Sequence, residues 1–449
     1  MGILRKCKYL YEVSRMAKTD ISLLMRIQRQ RFLRLLRYAK QNSSFYAGLY
    51  RNINIDKDIR IEELPLVDKK TFMDNFDSIL TIKDITKKQL IDFCNLKGNP
   101  SKINNKYTVI HSSGTSGLLW ISAFDDVCLD YEIASKIAYK NYDFARSFLK
   151  RRPRMACVFT DNPHVGSTVF YKSMPRFLVE VRHFSVRKPI SAIVEELNAF
   201  NPDMLLSYPF VLYELAHQKK KNALHISPQK VLWGGFPLDD DKKQFIGEAF
   251  NCVPYSGYFA TEATGPIAAE CPQHSLHVYS NAVILEVLGT DDRPVPPGKP
   301  GRAVITNLMN FTQPIIRYRL NDIVQMFTGI CPCGSSLPVI EKILGREGDI
   351  IWVDKGNGDY EVIDPILFNF KIPGLEKFQV IQEENAFLKV KVVINERGQE
   401  VTNQVEEAMG NILRDKNLCQ TVKVKIEEVL DIPLVLNRHK MVISKISAP

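Results

Sequence analysis

The sequence predicts an α/β protein with a large N-terminal domain of helix-covered β-sheets and a small C-terminal α+β domain. A chain of 449 residues is longer than one hydrophobic core usually supports, so at least two domains are expected. Short apolar runs alternate with helical patterns between Tyr107 and Leu344, which is typical of sheets covered by helices. After Gly345 the pattern changes, and this places the large domain at 1–345 and the small domain at 346–449.

The first part of the large domain is predicted to be helical. Apolar residues recur at helical spacing from Ile21 to Tyr50, with arginines between them, which indicates an amphipathic helix followed by a turn. We expect the arginines to face solvent. Four later runs of this domain are predicted to be strands: residues 155–160, 204–208, 231–235 and 283–288.

The small domain has its own pattern of strands around one helix. Residues 378–382 and 387–394 are predicted strands joined by a turn, residues 401–413 form a predicted helix, and residues 422–429 form another strand. About 100 residues are enough for such a unit to fold on its own.

The composition is that of an ordinary globular protein, with 45% hydrophobic and 24% charged residues. The net charge is +10, from 60 basic and 50 acidic residues. The basic residues are dispersed, however, and the two densest clusters, at 150–154 and 219–221, fit no zinc-finger, helix-turn-helix or RNA-binding pattern. A solvated basic face is therefore expected, and no nucleic-acid partner.

The sequence contains no run of 18 or more apolar residues, and its basic start has no apolar stretch behind it. We therefore expect a protein that is neither exported nor membrane-spanning. Nine cysteines without a signal peptide favour a reducing compartment, which indicates a cytoplasmic location. Peripheral contact of the basic amphipathic start with a membrane stays open.

One loop concentrates hydroxyls and glycines after an apolar strand-like stretch at 107–110. It runs from His111 to Gly117 and contains Ser113, Thr115 and Ser116. Glycines let a backbone approach an anion closely, and hydroxyls and bare amides donate to phosphate oxygens. The loop lacks the Gly-Lys-Ser/Thr ending of a Walker loop, and a loop of this composition taken alone is more often a plain surface turn.

Four further segments carry groups suited to a nucleotide. An aromatic ring at Tyr258 could stack on a purine, and a carboxylate at Glu262 could hold magnesium. Asp322 could accept from both ribose hydroxyls, and Arg346 suits phosphate or ribose. The last segment is the basic stretch that ends at Lys440. Each of these segments is a weak signal by itself, and their order and spacing carry the prediction.

Three cysteines lie close to these segments. Cys271, Cys331 and Cys333, with either His274 or His277, would supply three thiolates and an imidazole, a common set for a structural zinc ion. A closed four-ligand site has no open position for water, so its expected role is to pin two loops rather than to catalyse. Buried free thiols are the alternative.

The ordered set of segments resembles the adenylate-forming superfamily of acyl-CoA synthetases, peptide-synthetase adenylation domains and luciferases. The resemblance is nearest to the phenylacetate:coenzyme A ligase branch, which includes capsule-biosynthesis members, and it runs over nearly the whole chain. It rests on residues 33–50 and 64–69, on the block from Asn310 to Asp322, on Cys331 to Gly334, and on Gly345 and Arg346.

The resemblance implies a role for each candidate residue. Ser113, Thr115 and Ser116 would hold the triphosphate, and Thr261 would bind the phosphate. Tyr258 would contact the adenine, Asp322 the ribose and Arg346 the nucleotide, while Glu262 would bind magnesium. Gly235 and Phe236 would lie beside the adenine and the acyl group. Lys440 stands where the family keeps its C-terminal lysine, which bridges the carboxylate and the α-phosphate. Some members carry zinc at matching positions, and His277 fits them better than His274.

The implied activity is ATP-dependent conversion of a carboxylic acid, possibly an aryl acid, to an acyl-adenylate. Transfer to coenzyme A or a carrier-protein thiol would follow, with rotation of a mobile small domain. An adenylyltransferase, an amide or carrier-protein ligase, and an inactive polysaccharide-locus homologue are the alternatives, and a homodimer stays open. Phe170, Tyr171, Tyr208 and Phe236 could line an acyl pocket or simply pack in the core.

Three departures from the family pattern stand out. Leu118 and Leu119 replace a common Lys-Pro, Asn321 replaces a common glycine, and Gly348 stands where many relatives have a hinge aspartate. The first leaves the hydroxyl and amide donors in place, whereas the last could alter the rotation of the small domain.

Overall fold

The computed structural model describes residues 2–16, 19–55, 59–96, 102–112, 120–138, 151–235, 238–355, 360–363, 365–368, 370, 372–395, 398–433 and 440–446. The chain divides into two compact units. The larger unit comprises Met1–Leu285, Ile305–Arg319 and Phe327–Ile340, and the smaller unit comprises Glu286–Val304, Leu320–Met326 and Glu341–Pro449. The domain boundary drawn from the sequence, between residues 345 and 346, stays a prediction.

The larger unit combines helices with short, mostly buried strands. Its described helices are α1 (Gly2–Met16), α2 (Ile21–Asn42), α3 (Ser44–Leu49), α4 (Lys69–Asp74), α5 (Phe76–Ile79), α6 (Lys87–Cys94), α7 (Asp126–Ala138), α8 (Gly166–Ser173), α9 (Ile190–Phe200), α10 (Pro209–Lys220) and α11 (Asp240–Phe250). A hairpin sheet contains β1 (Lys102–Ile103), β2 (Tyr107–His111) and β3 (Ile121–Phe124). The main sheet contains β4 (Arg154–Phe159), β5 (Glu180–Ser185), β6 (Met204–Ser207), β7 (Lys230–Trp233), β8 (Tyr255–Phe259), β9 (Pro266–Glu270) and β10 (Leu276–Val278).

The main sheet of this unit is parallel along most of its width. Its strands follow the order β10-β9-β8-β7-β6-β4-β5, and the pairs from β8 to β5 are parallel while β9 and β10 pair antiparallel. The carboxyl ends of parallel strands meet at one edge of a sheet, which is where α/β proteins bind ligands. This edge lies just after Phe159, Ser185, Ser207, Trp233 and Phe259.

Helices α9, α10 and α11 bury the apolar strands β4, β6 and β7. Leu197, Leu205, Leu212 and Val231 have no exposed surface and belong to one core cluster. Such runs of buried Val, Leu and Ala are typical of parallel strands that are covered by helices. Both α9 and α11 end at an asparagine in the left-handed region, a common way to terminate a helix.

Helix α2 is the predicted amphipathic helix, and one of its arginines contradicts the expectation of solvent exposure. Arg31 contacts the Glu12 carboxylate of α1 and donates to the Tyr131 hydroxyl and the Asn281 carbonyl oxygen, both at 2.5 Å. The guanidinium therefore ties α1, α2 and α7 together inside the larger unit. Among the described residues, no helix combines the length and apolar character needed to cross a membrane.

The smaller unit contains a four-stranded sheet covered by one long helix. The strands are β17 (Leu375–Glu384), β18 (Phe387–Ile394), β19 (Lys423–Glu428) and β20 (Val442–Ser444), in the order β19-β18-β17-β20, and the helix is α12 (Gly398–Asp415). Val380, Val390, Val405 and Met409 are fully buried in their common core. Strands β15 (Ile351–Asp354) and β16 (Tyr360–Ile363) form a separate hairpin.

Four strands contribute residues to both units: β11 (Val283–Leu288), β12 (Pro300–Asn307), β13 (Ile315–Met326) and β14 (Val339–Arg346). The predicted strands at 378–382 and 387–394 and the predicted helix at 401–413 lie within elements of the same type, and the predicted strand at 422–429 exceeds β19 by one residue at each end. The predicted fold class is therefore confirmed: an α/β protein with a separate C-terminal α+β region.

Candidate functional site

Glycines and aromatic rings lie together at the carboxyl edge of the parallel sheet in the larger unit. Gly235 follows β7 with a φ of +88°, a conformation that favours glycine. A Cβ atom there would meet the Tyr208 ring at 3.7 Å. At Gly257 on the neighbouring strand, a Cβ would stand only 2.5 Å from the Phe259 ring. The absence of a side chain at Gly257 lets the Phe259 ring lie directly against the backbone, whereas at Gly235 the positive φ is what favours glycine.

Tyr258 and Phe259 occupy opposite faces of β8, as successive strand residues do. Tyr258 is only 6% exposed, whereas Phe259 is 44% exposed. The assignment of Tyr258 to adenine stacking stays a prediction. The sequence did not predict a role for Phe259, because alternation along a strand does not show which of two adjacent rings is exposed at a sheet edge.

Thr261 and Glu262 are tied to the strand that follows the Ser/Gly/Thr loop. The Ser122 hydroxyl on β3 donates to the Thr261 carbonyl oxygen at 3.1 Å and accepts from the Trp120 indole N–H at 2.8 Å. The Ser112 N–H donates to the Trp120 carbonyl oxygen at 3.0 Å and so closes the base of the loop. These bonds bring the base of the loop and the Thr261–Glu262 segment together.

Four of the residues assigned from the sequence, Ser113, Thr115, Ser116 and Phe236, lie outside the described residues. Their assignments to the triphosphate and to the stretch beside the adenine stay predictions. The described ends of both segments, at Ser112 and Gly235, lie on the larger unit.

Replacing Ser122 with alanine is expected to destabilise the protein by about 1–3 kcal/mol, because it leaves the Trp120 indole N–H buried without its acceptor. Urea unfolding monitored by circular dichroism would measure this change. Ser207→Ala is a matched control, since it also removes a fully buried hydroxyl, one that donates to the Val158 carbonyl oxygen, but leaves no buried N–H without an acceptor. Equal losses in the two variants would contradict the special role of the Trp120–Ser122 bond.

Two carboxylates act on the buried phenol of Tyr318. The phenol is 2% exposed and its ring lies 5.0 Å from that of Trp120. Burial raises the pKa of Tyr318, and the carboxylates of Glu262 and Asp68 raise it further. A carboxylate is a preferred ligand of magnesium, so the chemistry of Glu262 suits the ion assigned to it. The assignment itself stays a prediction.

Two further predicted nucleotide ligands lie in the smaller unit. The Arg346 Nε atom is 4.0 Å from Oδ1 of Asp322, with the arginine side chain 59% exposed. A pair at this distance and exposure contributes little stability. The assignments of Asp322 to ribose and of Arg346 to the nucleotide stay predictions.

Lys440 lies just before β20 in the smaller unit, and its side chain binds a carboxylate. Its Nζ donates to Oδ1 of Asp349 at 2.7 Å. The sequence analysis identified Lys440 but not Asp349, which follows Gly348 at the position compared with the family's hinge. The two residues are 91 positions apart in the chain, and no sequence spacing connects them.

The four predicted zinc ligands converge in the larger unit. The potential ligand atoms of Cys271, His277, Cys331 and Cys333 all lie within 4.8 Å of one another. The Cys271 and Cys331 sulfurs are 3.6 Å apart, and His277 Nε2 is 3.3 Å from the Cys333 sulfur. Strands β9 and β10 and the turn after residue 330 position this group.

His277 rather than His274 faces this cluster. Its Nδ1 lies 3.1 Å from the Leu337 carbonyl oxygen, to which it can donate, and this tautomer leaves Nε2 available for a metal. His274 instead bonds Glu270 through Nδ1 at 3.0 Å and stacks on Tyr255. The geometry thus favours the histidine that the family resemblance also favoured.

Hydrogen-bond donors lie close to two of the sulfurs. Backbone N–H groups of Gln273 and Ser335 point at the sulfurs of Cys271 and Cys333, each at 3.4 Å. Burial alone would raise the pKa of Cys331, but hydrogen bonds from its neighbours, that of Ser275 foremost, outweigh it and lower the pKa. Burial raises the pKa of the neighbouring Cys333. Three sulfurs and one imidazole nitrogen within 4.8 Å of one another are a donor set that fits zinc.

The aromatic residues considered for an acyl pocket have different surroundings. Phe170 is 5% exposed and packs in a core cluster with Met155 and Cys157. Tyr171 stacks on His183, with the ring centres 4.6 Å apart. Tyr208 lies at the sheet edge, with its ring 4.9 Å from that of Phe159 and close to Gly235. Of these three residues, Tyr208 is the one placed to contact a ligand at that edge.

The chain is similar to known proteins in sequence and, more extensively, in fold. No family model matches the sequence. Protein CapK of Staphylococcus aureus is 23% identical over 363 residues, which cover 76% of this chain and 72% of that protein. A phenylacetate-coenzyme A ligase of Thermus thermophilus is 25% identical over 255 residues, which cover 53% of this chain and 57% of the ligase.

The solved structures extend the similarity in fold over nearly the whole chain. A 2-hydroxyisobutyryl-CoA ligase in the postadenylation state matches with a TM-score of 0.68 at 18% identity, covering 96% of this chain and 91% of that one. An acetoacetyl-CoA synthetase of Streptomyces lividans matches with a TM-score of 0.53 at 14% identity over 74% of this chain and 53% of that one. At these identities the structures establish the fold.

Proposed function

We propose that this chain, which belongs to the adenylate-forming superfamily in its phenylacetate-coenzyme A ligase-like branch, uses ATP to activate a carboxylic acid as an acyl-adenylate and then transfers the acyl group to a thiol. The relatives named above are Protein CapK and proteins named as coenzyme A ligases or synthetases. Coenzyme A is the proposed acceptor.

One observation carries this proposal. The hydrogen bonds Trp120–Ser122–Thr261 join the base of the Ser/Gly/Thr loop to the Thr261–Glu262 segment at the carboxyl edge of the parallel sheet. Phosphate donors, a carboxylate for magnesium and an aromatic surface are the groups that MgATP requires, and the bonded segments support the proposal because the described base of the loop lies next to the segment that carries the carboxylate.

The proposed first step forms a phosphorus–oxygen bond. A carboxylate oxygen of the substrate attacks the α-phosphorus of ATP, and pyrophosphate leaves with the electrons of the bond that breaks. A carboxylate is a poor acyl donor, and AMP gives it a good leaving group. The protein accelerates the step by holding the reactants in line and neutralising their charge, without a covalent enzyme intermediate.

Each assigned residue has one role in this step. Ser113, Thr115 and Ser116 donate to the triphosphate, Thr261 binds phosphate, Tyr258 contacts the adenine, and Gly235 and Phe236 lie beside the adenine and acyl group. Asp322 accepts from the ribose hydroxyls and Arg346 binds the nucleotide. Glu262 holds magnesium, which when bound offsets phosphate charge. Lys440 neutralises the carboxylate and α-phosphate as they approach.

The alternative reactions differ from the proposed one in the acid that is activated and in the final acceptor of the acyl group. An adenylyltransferase would leave AMP on its product, and an amide or carrier-protein ligase would pass the acyl group to an amine or a protein-bound thiol. The relatives act on different acids, one aryl and one a small hydroxy acid. A panel should therefore contain aryl, short hydroxy and simple aliphatic acids.

Pyrophosphate exchange is the experiment that tests the proposal. The protein is incubated with MgATP, labelled pyrophosphate and each acid in turn, and label that appears in ATP reports reversible adenylate formation. Exchange that depends on one class of acid supports the proposal, and mass analysis after coenzyme A is added identifies the acceptor. No exchange with any acid by a folded protein that binds ATP would favour an inactive homologue.

We further propose that Cys271, His277, Cys331 and Cys333 hold one structural zinc ion. The ion would fix the loop after β9 to the turn after residue 330 and take no part in the reaction, since four protein ligands complete a tetrahedron. We also propose a reducing, cytoplasmic setting, which thiol ligands of a structural zinc ion require.

Two substitutions separate magnesium binding from nucleotide binding. Glu262→Gln removes a negative charge and should lower exchange by roughly 10²-fold, in part recoverable at high magnesium. Asp322→Ala should instead weaken ATP binding by about tenfold, because it removes an acceptor for two hydroxyls. Exchange rates at several magnesium concentrations and equilibrium ATP binding measure both effects.

Glu248→Gln is the control, since Glu248 is an exposed carboxylate on α11 that lies 3.9 Å from Lys220. It should behave as the unsubstituted protein. Unchanged ATP affinity and exchange in both Glu262→Gln and Asp322→Ala would overturn the assignment of the MgATP site.

A further inference from the structure

The ammonium group of Lys440 is held by a carboxylate of its own unit. The Lys440 Nζ lies 2.7 Å from Asp349 Oδ1, and the two side chains are 36% and 33% exposed. The main chain at Lys440 and Met441 is fixed to β17: Gln379 Nε2 donates to the Lys440 carbonyl oxygen at 2.8 Å, and the Val380 N–H donates to the Met441 carbonyl oxygen at 2.7 Å. Because the backbone is anchored, the side-chain rotamer decides what the ammonium contacts.

Asp349 lies on a short turn whose neighbouring residues are anchored to the smaller unit. It ends the short 3₁₀ turn Glu347–Asp349, which directly follows Arg346. The Arg302 guanidinium donates twice to one Glu347 oxygen, at 2.8 and 3.0 Å, and Ile350 is fully buried. A carboxylate on a turn anchored at both ends is a fixed partner for the flexible lysine side chain.

We infer that Asp349 is a positioning residue that binds the Lys440 ammonium between adenylation events, an inference that rests on the proposed function. A carboxylate at 2.7 Å cancels much of the field of the ammonium group. Lys440 therefore cannot neutralise a substrate carboxylate and an α-phosphate while it remains paired. The pair must open before adenylation, and Asp349 competes with the substrate for the same charge.

The size of this effect follows from the exposure of the pair. Partly exposed ion pairs are weak, and opening this one is expected to slow adenylation by about two- to fivefold. Asp349→Asn keeps the size of the side chain and removes its charge. It should raise the maximal exchange rate by about two- to fivefold at saturating substrates and leave the KM for ATP unchanged, whereas Asp349→Glu should stay near the unsubstituted rate.

Asp431→Asn is the matched control. Asp431 accepts from Lys377 at the same distance of 2.7 Å in the same unit, but it pairs with a lysine that has no role in the proposed reaction. Its exchange rate should equal that of the unsubstituted protein. A thermal melt of each variant shows whether a change in rate comes from unfolding.

Salt gives a second measurement that a purely structural role of Asp349 would not affect. Salt weakens exposed ion pairs, so the ratio of the Asp349→Asn rate to the unsubstituted rate should fall towards one as ionic strength rises to about 0.5 M. A ratio of one at low salt, or a slower Asp349→Asn variant, overturns the inference.

The failure of this inference is distinguishable from failure of the proposed function. If the unsubstituted protein catalyses exchange and Lys440→Ala does not, an unchanged Asp349→Asn rate refutes only the role of Asp349. If the unsubstituted protein catalyses no exchange with any acid, the proposed function fails, and the role of Asp349 fails with it.

Discussion

Lys440→Ala is expected to lower pyrophosphate exchange by roughly 10²- to 10³-fold, the size of effect seen when a donor to a developing charge is removed. In the proposed reaction the ammonium acts only as the carboxylate and the α-phosphate meet. Its loss should therefore reduce the maximal rate far more than the affinity for ATP. Exchange assays at varied ATP, combined with equilibrium ATP binding, separate the two quantities.

The second half-reaction provides an internal control for Lys440→Ala. If coenzyme A is the acceptor, the variant should still convert a supplied acyl-adenylate to the thioester, because the phosphorus–oxygen bond has already formed. Conversion of the adenylate also shows that the protein is folded. Loss of both half-reactions would indicate a structural role for Lys440 instead.

Lys445 provides the matched substitution. Its Nζ lies 3.4 Å from Glu383, its side chain is 58% exposed, and it is the nearest lysine in sequence. Lys445→Ala should retain exchange close to that of the unsubstituted protein. If Lys445→Ala loses exchange while Lys440→Ala keeps it, the lysine that acts in the reaction is Lys445, and the assignment of this role to Lys440 is wrong.

The fold could be predicted from the sequence because it depends on local periodicity. Strand β18 matches its predicted range of 387–394, and β11 matches 283–288, since each is a mostly apolar run rich in β-branched residues that ends before Asn395 or Gly289. Arg31 could not be predicted in the same way. Its partners Glu12, Tyr131 and Asn281 come from distant parts of the chain, and helical periodicity alone places it with the other arginines of α2.

The candidate site shows the same limit. Order and spacing singled out Glu262 and Lys440, but no motif predicts the bond by which Ser122 ties Thr261 to β3, or the pairing of Asp349 with Lys440. Both act through contacts between segments that are far apart in sequence. Residues of this kind become visible only once the chain is folded, although each has a larger expected effect than most surface positions.

The zinc ligands are an intermediate case. Their residue types and the short Cys331–Cys333 spacing predicted a metal set, but the sequence alone left His274 and His277 open. The choice between them depends on which way each ring faces. Glu270 and Tyr255 occupy the His274 ring, and Leu337 orients that of His277 towards the sulfurs.

Cys331→Ser is expected to abolish zinc binding and to lower the melting temperature by roughly 5–10 °C, because metal bound to the folded state contributes directly to folding free energy. The purified unsubstituted protein should contain about one zinc ion per chain, and the variant should contain almost none. Metal analysis and thermal unfolding measure the two effects. Adding a chelator to the unsubstituted protein should produce a similar destabilisation.

Three further substitutions distinguish this site from ordinary thiols and show which histidine binds the ion. Cys419 is an exposed, isolated cysteine, and Cys419→Ser should keep both the zinc and the melting temperature. His277→Ala should lose the zinc as Cys331→Ser does, because Nε2 faces the Cys333 sulfur at 3.3 Å. His274→Ala should retain it, since that ring bonds Glu270 instead. A folded, metal-free unsubstituted protein, or zinc that is lost with His274 and kept without His277, would show that these four residues do not form the site.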